Sequence, residues 1–318
     1  MDTIVAETSR SAAAERPGYY QSWFPVCLAR EVGADSLIGV DIMGTRVIVH
    51  RDAAGKIVVQ SAWCPHLGAD LSQGQRIEGQ VRCPYHHWRF DASGACTHIP
   101  TGDRIPPAAR IFTYPSAEAW GLVWLFNGEK PLFGVPRIPD AVEADLDLQA
   151  HFRGLRRARG EVSLSNGIDF QHLRTLHGLD TTEPSEIAVR DYDIEYTVAA
   201  QGYTQHGLIN GMSAFAQHIT PGGEEMFMLF CGAPIDQAQR RSFFVLGVPK
   251  AGDSPAEQAA SRAKLDGIRV FVERLLSEDE PVLDAMRFRR GVLVQSDRYL
   301  SRYFKYMSDF PRAEPPGG

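Results

Sequence analysis

Two short pairs, Cys64-Pro65-His66 and Cys83-Pro84-Tyr85-His86, are separated by sixteen residues and constrain this chain more than any other feature. Each pair offers one thiolate and one imidazole. Two loops must therefore converge on one centre if all four donors are used. Pro65 and Pro84 fix φ after each cysteine and remove a backbone donor, which stiffens both loops. Gly68, Gly74 and Gly79 supply turns to the segment between. Soft thiolates suit iron–sulfur clusters. In Rieske-type [2Fe–2S] centres two histidines replace two cysteines on one iron, raising the potential to roughly −150 to +300 mV. Such a centre carries single electrons. A closed zinc site also takes two Cys and two His, but zinc fingers pair like with like, whereas each pair here mixes the two types. The spacing favours the [2Fe–2S] cluster on Cys64, His66, Cys83 and His86.

Nearby residues read more plainly. His87 adjoins His86 without the Cys-x-x-His spacing. Cys96-Thr97-His98 has no partner pair and reads as a small buried cysteine beside a loop histidine. Trp63 and Trp88 flank the two pairs and can either shield the cluster or pack the core.

The chain has 318 residues, 44% of them hydrophobic and 23% charged. That is enough for two globular domains, and the cluster module uses only about a third. A net charge of −6 argues against nucleic acid or an anionic membrane as partner. Residues 1–18 read as a flexible tail, without the charged-then-apolar order of a secretion signal. No apolar run reaches the length of a membrane span. Five cysteines, two of them assigned to the cluster, fit a reducing, cytoplasmic location.

The organisation expected is α+β: a small antiparallel β domain over 19–130, then a domain over 131–318 with an antiparallel sheet covered by helices. Leu37–Val40, Val47–Val49 and Ile57–Val59 read as strands, the last two joined by an Asp52–Gly55 turn. Trp120–Phe126 reads as a strand closed at Asn127-Gly128. The boundary falls in the proline-bearing stretch Pro131–Pro139. Beyond it the pattern predicts a strand around His151–Val162, a helix near Leu164–Leu176, and strands through Ile187–Val248. Ser254-Pro255-Ala256-Glu257 is a capping box with proline at the first helical position. The helix it opens puts Leu265, Ile268, Val272 and Leu275 at core spacing.

A second metal centre is suggested by Asn166-Gly167-Ile168-Asp169-Phe170-Gln171-His172-Leu173-Arg174-Thr175-Leu176-His177. His172 and His177 can supply two ligands of a 2-His-1-carboxylate triad, whose open positions favour non-heme Fe(II). Five residues apart, they lie about 140° apart on an ideal helix. The helix must bulge or end between them if both ligate. Asp169 shares a face with His172, and its carboxylate can orient that imidazole.

The stretch from about Trp23 to Asn127 resembles the Rieske domain of Rieske non-heme iron oxygenases. The likeness rests on Cys64-Pro65-His66-Leu67-Gly68-Ala69-Asp70-Leu71-Ser72, on Cys83-Pro84-Tyr85-His86-His87-Trp88, and on the run from Phe90-Asp91 through Gly94 to Ile99-Pro100. Family members commonly carry glycine where His87 stands. The Asn-x-x-Asp-x-x-His-x-x-x-x-His pattern from Asn166 is similar to the catalytic domain of the same family, which extends the resemblance to the C-terminal helix. The resemblance implies that His172 and His177 bind a mononuclear iron. It implies that Asp169 passes electrons arriving from His86 of a neighbouring subunit, in head-to-tail homotrimers. It places a third ligand in an acidic segment far downstream, for which Leu276-Ser277-Glu278-Asp279-Glu280-Pro281 fits with Asp279; Asp284 and Asp297 are alternatives. It implies O2 as co-substrate and electrons from NAD(P)H through a separate ferredoxin or flavin reductase, since no Gly-x-Gly-x-x-Gly fingerprint or plant-type ferredoxin cysteines occur here. The activity implied is monooxygenation, by hydroxylation or oxidative demethylation, of a small, largely apolar, ring-containing molecule. A dioxygenase, a steroid-type hydroxylase and a Rieske electron carrier are the alternative readings. Tyr203–Phe230, rich in Met, Phe, Leu and Ile, is the expected pocket lining, with His206, Asn210 and His218 read as satisfied structural or surface groups.

Overall fold

The computed structural model describes residues 18–157, 159–289 and 291–317. The expected tail lies, apart from Gly18, outside the described residues. The architecture is α+β. Among the described residues no helix is long and apolar enough to cross a membrane.

The N-terminal part is built of three antiparallel sheets. The first orders Thr113–Tyr114, Ile57–Ser61, Thr45–Arg51 and Ile38–Ile42. Asp52 makes its hairpin turn, accepting from the backbone N–H groups of Ala54 and Lys56 at 2.9 Å each. A second small sheet runs Gln75–Ile77, Gln80–Arg82, Arg89–Phe90, Cys96–His98. It is backed by a core of its own around Leu71, Val81 and Phe90. The third joins Ser116–Ala119, Leu122–Phe126 and Trp23–Leu28. Here the sequence expectation is corrected at one end. Trp120 and Gly121 are not strand but the hairpin turn, both with positive φ (58° and 70°). That conformation matches the twist of the flanking strands.

The stretch Pro131–Pro139 is tied down rather than loose. The Trp23 indole N–H donates to the Phe133 carbonyl (2.9 Å) and that of Trp120 to the Pro136 carbonyl (2.7 Å). A seven-stranded antiparallel sheet follows, in the order Leu146–Arg156, Arg240–Pro249, Met226–Pro234, Ala214–Ile219, Tyr203–Asn210, Asp193–Ala200, Ala188–Val189. Alternation along these strands gives the sheet two apolar faces. One packs Phe227, Leu229, Phe243 and Val245 against Trp23, Trp124 and Phe126 of the third sheet. The other packs Met228, Phe244, Leu246 and Val248 against helix α3, Pro255–Ala285. Leu265 and Val272 of α3 are buried and Ile268 half-buried, as its period predicts. Its start is the expected capping box: Ser254 Oγ accepts from the Glu257 N–H, and the Glu257 carboxylate accepts from the Ser254 N–H.

Two expectations in the 151–176 region are revised. The strand stops at Arg156, and helix α1 takes Gly160–Ser165, so Val162 is helical. The single helix expected near Leu164–Leu176 is three pieces: α1, a 3-10 turn over Asn166–Ile168, and α2 over Phe170–Thr175. The break is at Asp169 (φ −93°, ψ 82°), which caps α2 by accepting from the His172 N–H at 3.0 Å. Close packing enforces the irregularity. A Cβ on Gly167 would stand 2.6 Å from the Phe215 ring, and the Gly167 carbonyl accepts from the Tyr196 hydroxyl at 2.7 Å. Helix α4, Arg298–Asp309, closes the chain's main core with Tyr299, Tyr303 and Tyr306.

Candidate metal centres and the adjoining cavity

The two Cys–His loops are built alike. In each, the cysteine N–H donates to the carbonyl five residues on: Cys64 to Ala69 (2.9 Å), Cys83 to Trp88 (2.8 Å). In each, the residue fourth after the cysteine has positive φ, Gly68 at 75° and His87 at 59°. The family's usual glycine at the second position is thus explained by the turn itself. His87 occupies a left-handed conformation that histidine tolerates better than most side chains.

The loops bring their donors together with opposite exposure. Cys64 and Cys83 are 3% and 1% exposed, whereas His66 and His86 lie at the surface. The imidazole centroids are 4.6 Å apart, and Trp88 stacks on His66 at 4.6 Å and 6°. Trp88 therefore packs a donor ring, while Trp63 is 40% exposed. Burial pushes the Cys64 thiol up to about 12, with its neighbour Cys83 acting in the same direction. The buried Cys64 thiol ionises readily only if a cation joins it. That chemistry fits the cluster, with the sulfur end inside and the histidine end facing out. Cys96 is buried in the small core and His98 exposed, consistent with the plain reading of both.

In the second part, one donor atom from each of His172, His177 and Asp279 lies within 4.8 Å of the other two. α2 ends at Thr175, so His177 is free to turn back toward His172, and the ring centroids are 5.2 Å apart. Each imidazole is held by its Nδ1. On His172 the partner is the backbone carbonyl of Asp169. On His177 it is the Glu278 carboxylate at 2.7 Å. Both Nε2 atoms are left for a metal, and that of His177 lies 3.2 Å from Asp279 Oδ1. Such outer partners fix tautomer and ring orientation at metal sites. The Asp169 carboxylate does not orient His172 as expected; it is engaged on the backbone as a helix cap, and its carbonyl does the orienting.

Asp279 comes from the last turns of α3, with 13% of its side chain exposed. Burial raises its carboxyl above the ordinary value, against the pull of His172, His177 and a hydrogen bond from Asn166. Burial likewise lowers His172, leaving its imidazole neutral. Two imidazoles and a desolvated carboxylate are a fitting donor set for a hard-to-borderline dication such as Fe(II). Asp284 and Asp297 are outside the trio. Glu278 and Asn166 were given no role at the site from sequence. Glu278 had one available signal: it precedes Asp279, and neighbours on a helix diverge by about 100°, enough to reach different atoms of one ring.

The trio opens into a cavity of about 170 Å³. From the expected stretch, Gln205, Ser213, Phe215, Gln217 and Phe230 line it. His206 and His218 instead share Asp140 on the opposite face (2.9 and 3.1 Å), and Asn210 accepts from the Arg137 N–H at 2.9 Å.

The Rieske [2Fe-2S] domain family matches residues 22–115. Aminopyrrolnitrin oxygenase PrnD of Pseudomonas fluorescens is 32% identical over 170 residues, 50% of this chain and 46% of that protein. Cholesterol 7-desaturase nvd of Bombyx mori is 30% identical over 185 residues, 53% of this chain and 39% of that one. The chain thus spans less than half the length of these relatives. In overall fold the chain is similar to NdmB of Pseudomonas putida CBB5 (TM-score 0.73, 22% identity, 90% of this chain and 89% of that one). It is likewise similar to dicamba monooxygenase bound to dicamba (TM-score 0.70, 20% identity, 91% and 96%). The chain thus carries a Rieske [2Fe-2S] domain over residues 22–115, and its overall fold is that of these solved structures.

Proposed function

We propose that this chain is an oxygenase component that inserts one atom of O2 into a small ring-containing molecule, by hydroxylation or oxidative demethylation. The other oxygen leaves as water, with two electrons and two protons consumed. The observation that carries the reading is the His172, His177 and Asp279 trio opening into a cavity, in a chain that also has a Rieske domain.

Residues 19–130 would carry the cluster on Cys64, His66, Cys83 and His86, and 131–318 the mononuclear iron on His172, His177 and Asp279. When bound, these groups supply electron transfer and O2 activation. The chain's own residues do the rest. Asp169 and Glu278 hold the two imidazoles by Nδ1, so that both Nε2 atoms face the cavity. Phe215 and Phe230, stacked at 14°, form a flat apolar wall that suits a ring and excludes water.

The proposal includes a head-to-tail homotrimer in which His86 of one subunit faces Asp169 of the next. Exposed Leu67 and Tyr85 surround the cluster histidines. Exposed Val292 and Leu293 flank a hollow that Asp169 lines. Both patches are apolar enough to be covered in an assembly. Electrons come from NAD(P)H through a separate ferredoxin or flavin reductase. Five unpaired cysteines suit a reducing cytoplasm.

The test is metal analysis together with product mass. Asp279→Ala should lose the mononuclear iron, keep the Rieske EPR signal, and stop incorporation of labelled oxygen supplied with a surrogate reductase. Retention of all iron in that variant overturns the ligand assignment, and a wild-type chain that incorporates no oxygen into any ring compound overturns the activity.

A further inference from the structure

A relay of hydroxyls and amides crosses the sheet face that lines the cavity, and its polarity is fixed from one end. Tyr196, Gly207 and Gln217 are cross-strand neighbours on three adjacent strands. A Cβ on Gly207 would strike the Tyr196 ring, so this glycine lets the ring lie over its strand. The Tyr196 hydroxyl then donates to the Gly167 carbonyl at 2.7 Å. Gly167 belongs to the 3-10 turn that precedes Asp169 and His172. Burial raises the Tyr196 hydroxyl above its ordinary value, so it keeps its proton.

A backbone carbonyl only accepts. The single O–H of Tyr196 is spent on it, and the Tyr196 oxygen can only accept from its next neighbour. The Gln205 atom that faces it at 3.1 Å is therefore the amide nitrogen. Gln205 Oε1 accepts from the Tyr203 hydroxyl at 2.6 Å. The second N–H of Gln205 donates to Gln217 Oε1 at 2.7 Å. Gln205 and Tyr196 are 5% and 4% exposed, so water does not compete for these bonds. With its oxygen turned to Gln205, Gln217 has its N–H group to offer. Among the described residues Gln217 Nε2 meets only Met228 Sδ, at 3.8 Å, and a thioether is a weak acceptor. Gln217 lines the cavity beside Phe215 and Phe230. The charged donors there are engaged: Arg153 and Arg156 meet Glu280, and Arg240 donates to Ser163 Oγ at 2.6 Å.

Building on the oxygenase reading above, we propose that Gln217 is a specificity-determining residue whose N–H group, held outward by Tyr196 and Gln205, selects rings that carry a neutral hydrogen-bond acceptor, a carbonyl oxygen or a ring nitrogen, over plain hydrocarbons and over rings that offer only a donor. Tyr196 and Gln205 are positioning residues. An acceptor on Gln217 Nε2 satisfies a donor that otherwise has only sulfur, whereas a ligand donor would meet an N–H head-on. Because the relay starts at Gly167, the amide that reads the ring and the turn that carries the metal donors are held by one network.

1-Indanone, indane and indole, similar in size, offer an acceptor, neither group, and a donor. Each is titrated calorimetrically into the metal-loaded protein. The quantity read is affinity relative to indane, compared between wild type and variant so that the differing hydration of the rings cancels. In Gln217→Met, which keeps the length and removes the donor, the indanone-to-indane ratio should fall about fivefold or more, as loss of one hydrogen bond requires. In Gln205→Met the Gln217 amide loses its anchor and can present either end. Indanone should then lose affinity relative to indane while indole gains, a divergence that a merely structural role does not produce. Circular dichroism checks both folds. No measurable binding of 1-indanone, a ratio unchanged in folded Gln217→Met, or indanone and indole moving together in folded Gln205→Met each overturn the proposal. The two readings fail separately. If labelled oxygen enters hydrocarbon rings as readily as ketones, the selection is wrong and the oxygenase stands. If the ratios depend on Gln217 and Gln205 as stated and no ring gains oxygen, the polar site stands and the oxygenase reading falls.

Discussion

Gly68 and His87 occupy equivalent places in two loops of the same build, both left-handed, yet only one is glycine. Nothing lies within 4 Å of where a Cβ on Gly68 would point. Gly68→Ala is therefore strained by backbone alone and should cost about 1 kcal/mol. His87→Gly should be tolerated or slightly stabilising. Thermal melts followed by cluster absorbance test both, and equal losses would remove the turn argument. Glu195 offers a second residue-scale prediction. Burial favours its neutral form, but bonds from Arg190 (2.7 Å), Arg137 (3.1 Å) and His206 (2.8 Å) outweigh that and hold the carboxyl at about 2. An unfolded glutamate titrates near ~4.3. The folded value is the lower, so this group's stabilisation is complete above ~4.3 and lost as pH falls toward about 2. Urea midpoints along an acid series should fall less steeply in Glu195→Gln; unchanged slopes would show that Glu195 contributes nothing to acid stability.

At the scale of elements, the metal trio depends on a helix that is interrupted. α1, the 3-10 turn and α2 together place Asn166, Asp169, His172 and His177 around one point, which an unbroken helix does not do. The interruption is anchored where Gly167 meets Phe215 of the sheet. Gly167→Ala should push the turn off the sheet, cost about 1–3 kcal/mol as overpacking does, and lower the mononuclear iron content while the cluster stays full. Full iron occupancy at reduced stability would mean that this contact supports the fold but not the site. The opposite wall comes from the end of α3, where Glu278 and Asp279 reach the two nitrogens of His177 from successive positions.

At the scale of the molecule, His66 and His86, the proposed cluster ligands, lie at the surface, which suits an electron exit toward another chain. A trimer that passes electrons between subunits makes a specific prediction. His86→Ala has iron but no intact cluster, and Asp279→Ala has the cluster but no iron. Each should be inactive alone. Co-expressed, they should recover up to about a quarter of wild-type turnover, because that share of junctions in a random ring joins an intact cluster to an intact iron site. No recovery in verified mixed trimers would mean that electrons stay within one chain.

The Cys–His pairs, the capped helix at Ser254 and the hairpin at Asp52 were legible in the sequence because each is set by neighbours a few residues apart. Spacing, capping and turn chemistry are local, and they carried the cluster, most strands and α3 correctly. The Trp120 turn, the early end of the strand at Arg156 and the break at Asp169 were not legible in this way, since each depends on what packs against it from far along the chain. The same holds at the site. His172 and His177 were visible as a pattern and Asp279 through resemblance. Glu278 as a ring orienter, Asp169 as a cap, and Arg153, Arg156 and Arg240 around one cavity emerged only in three dimensions. Sequence alone determined which donors the chain possesses. The tertiary structure decided which of them meet and how they are charged, because burial and distance set the cost of a charge, and neither is a property of one segment.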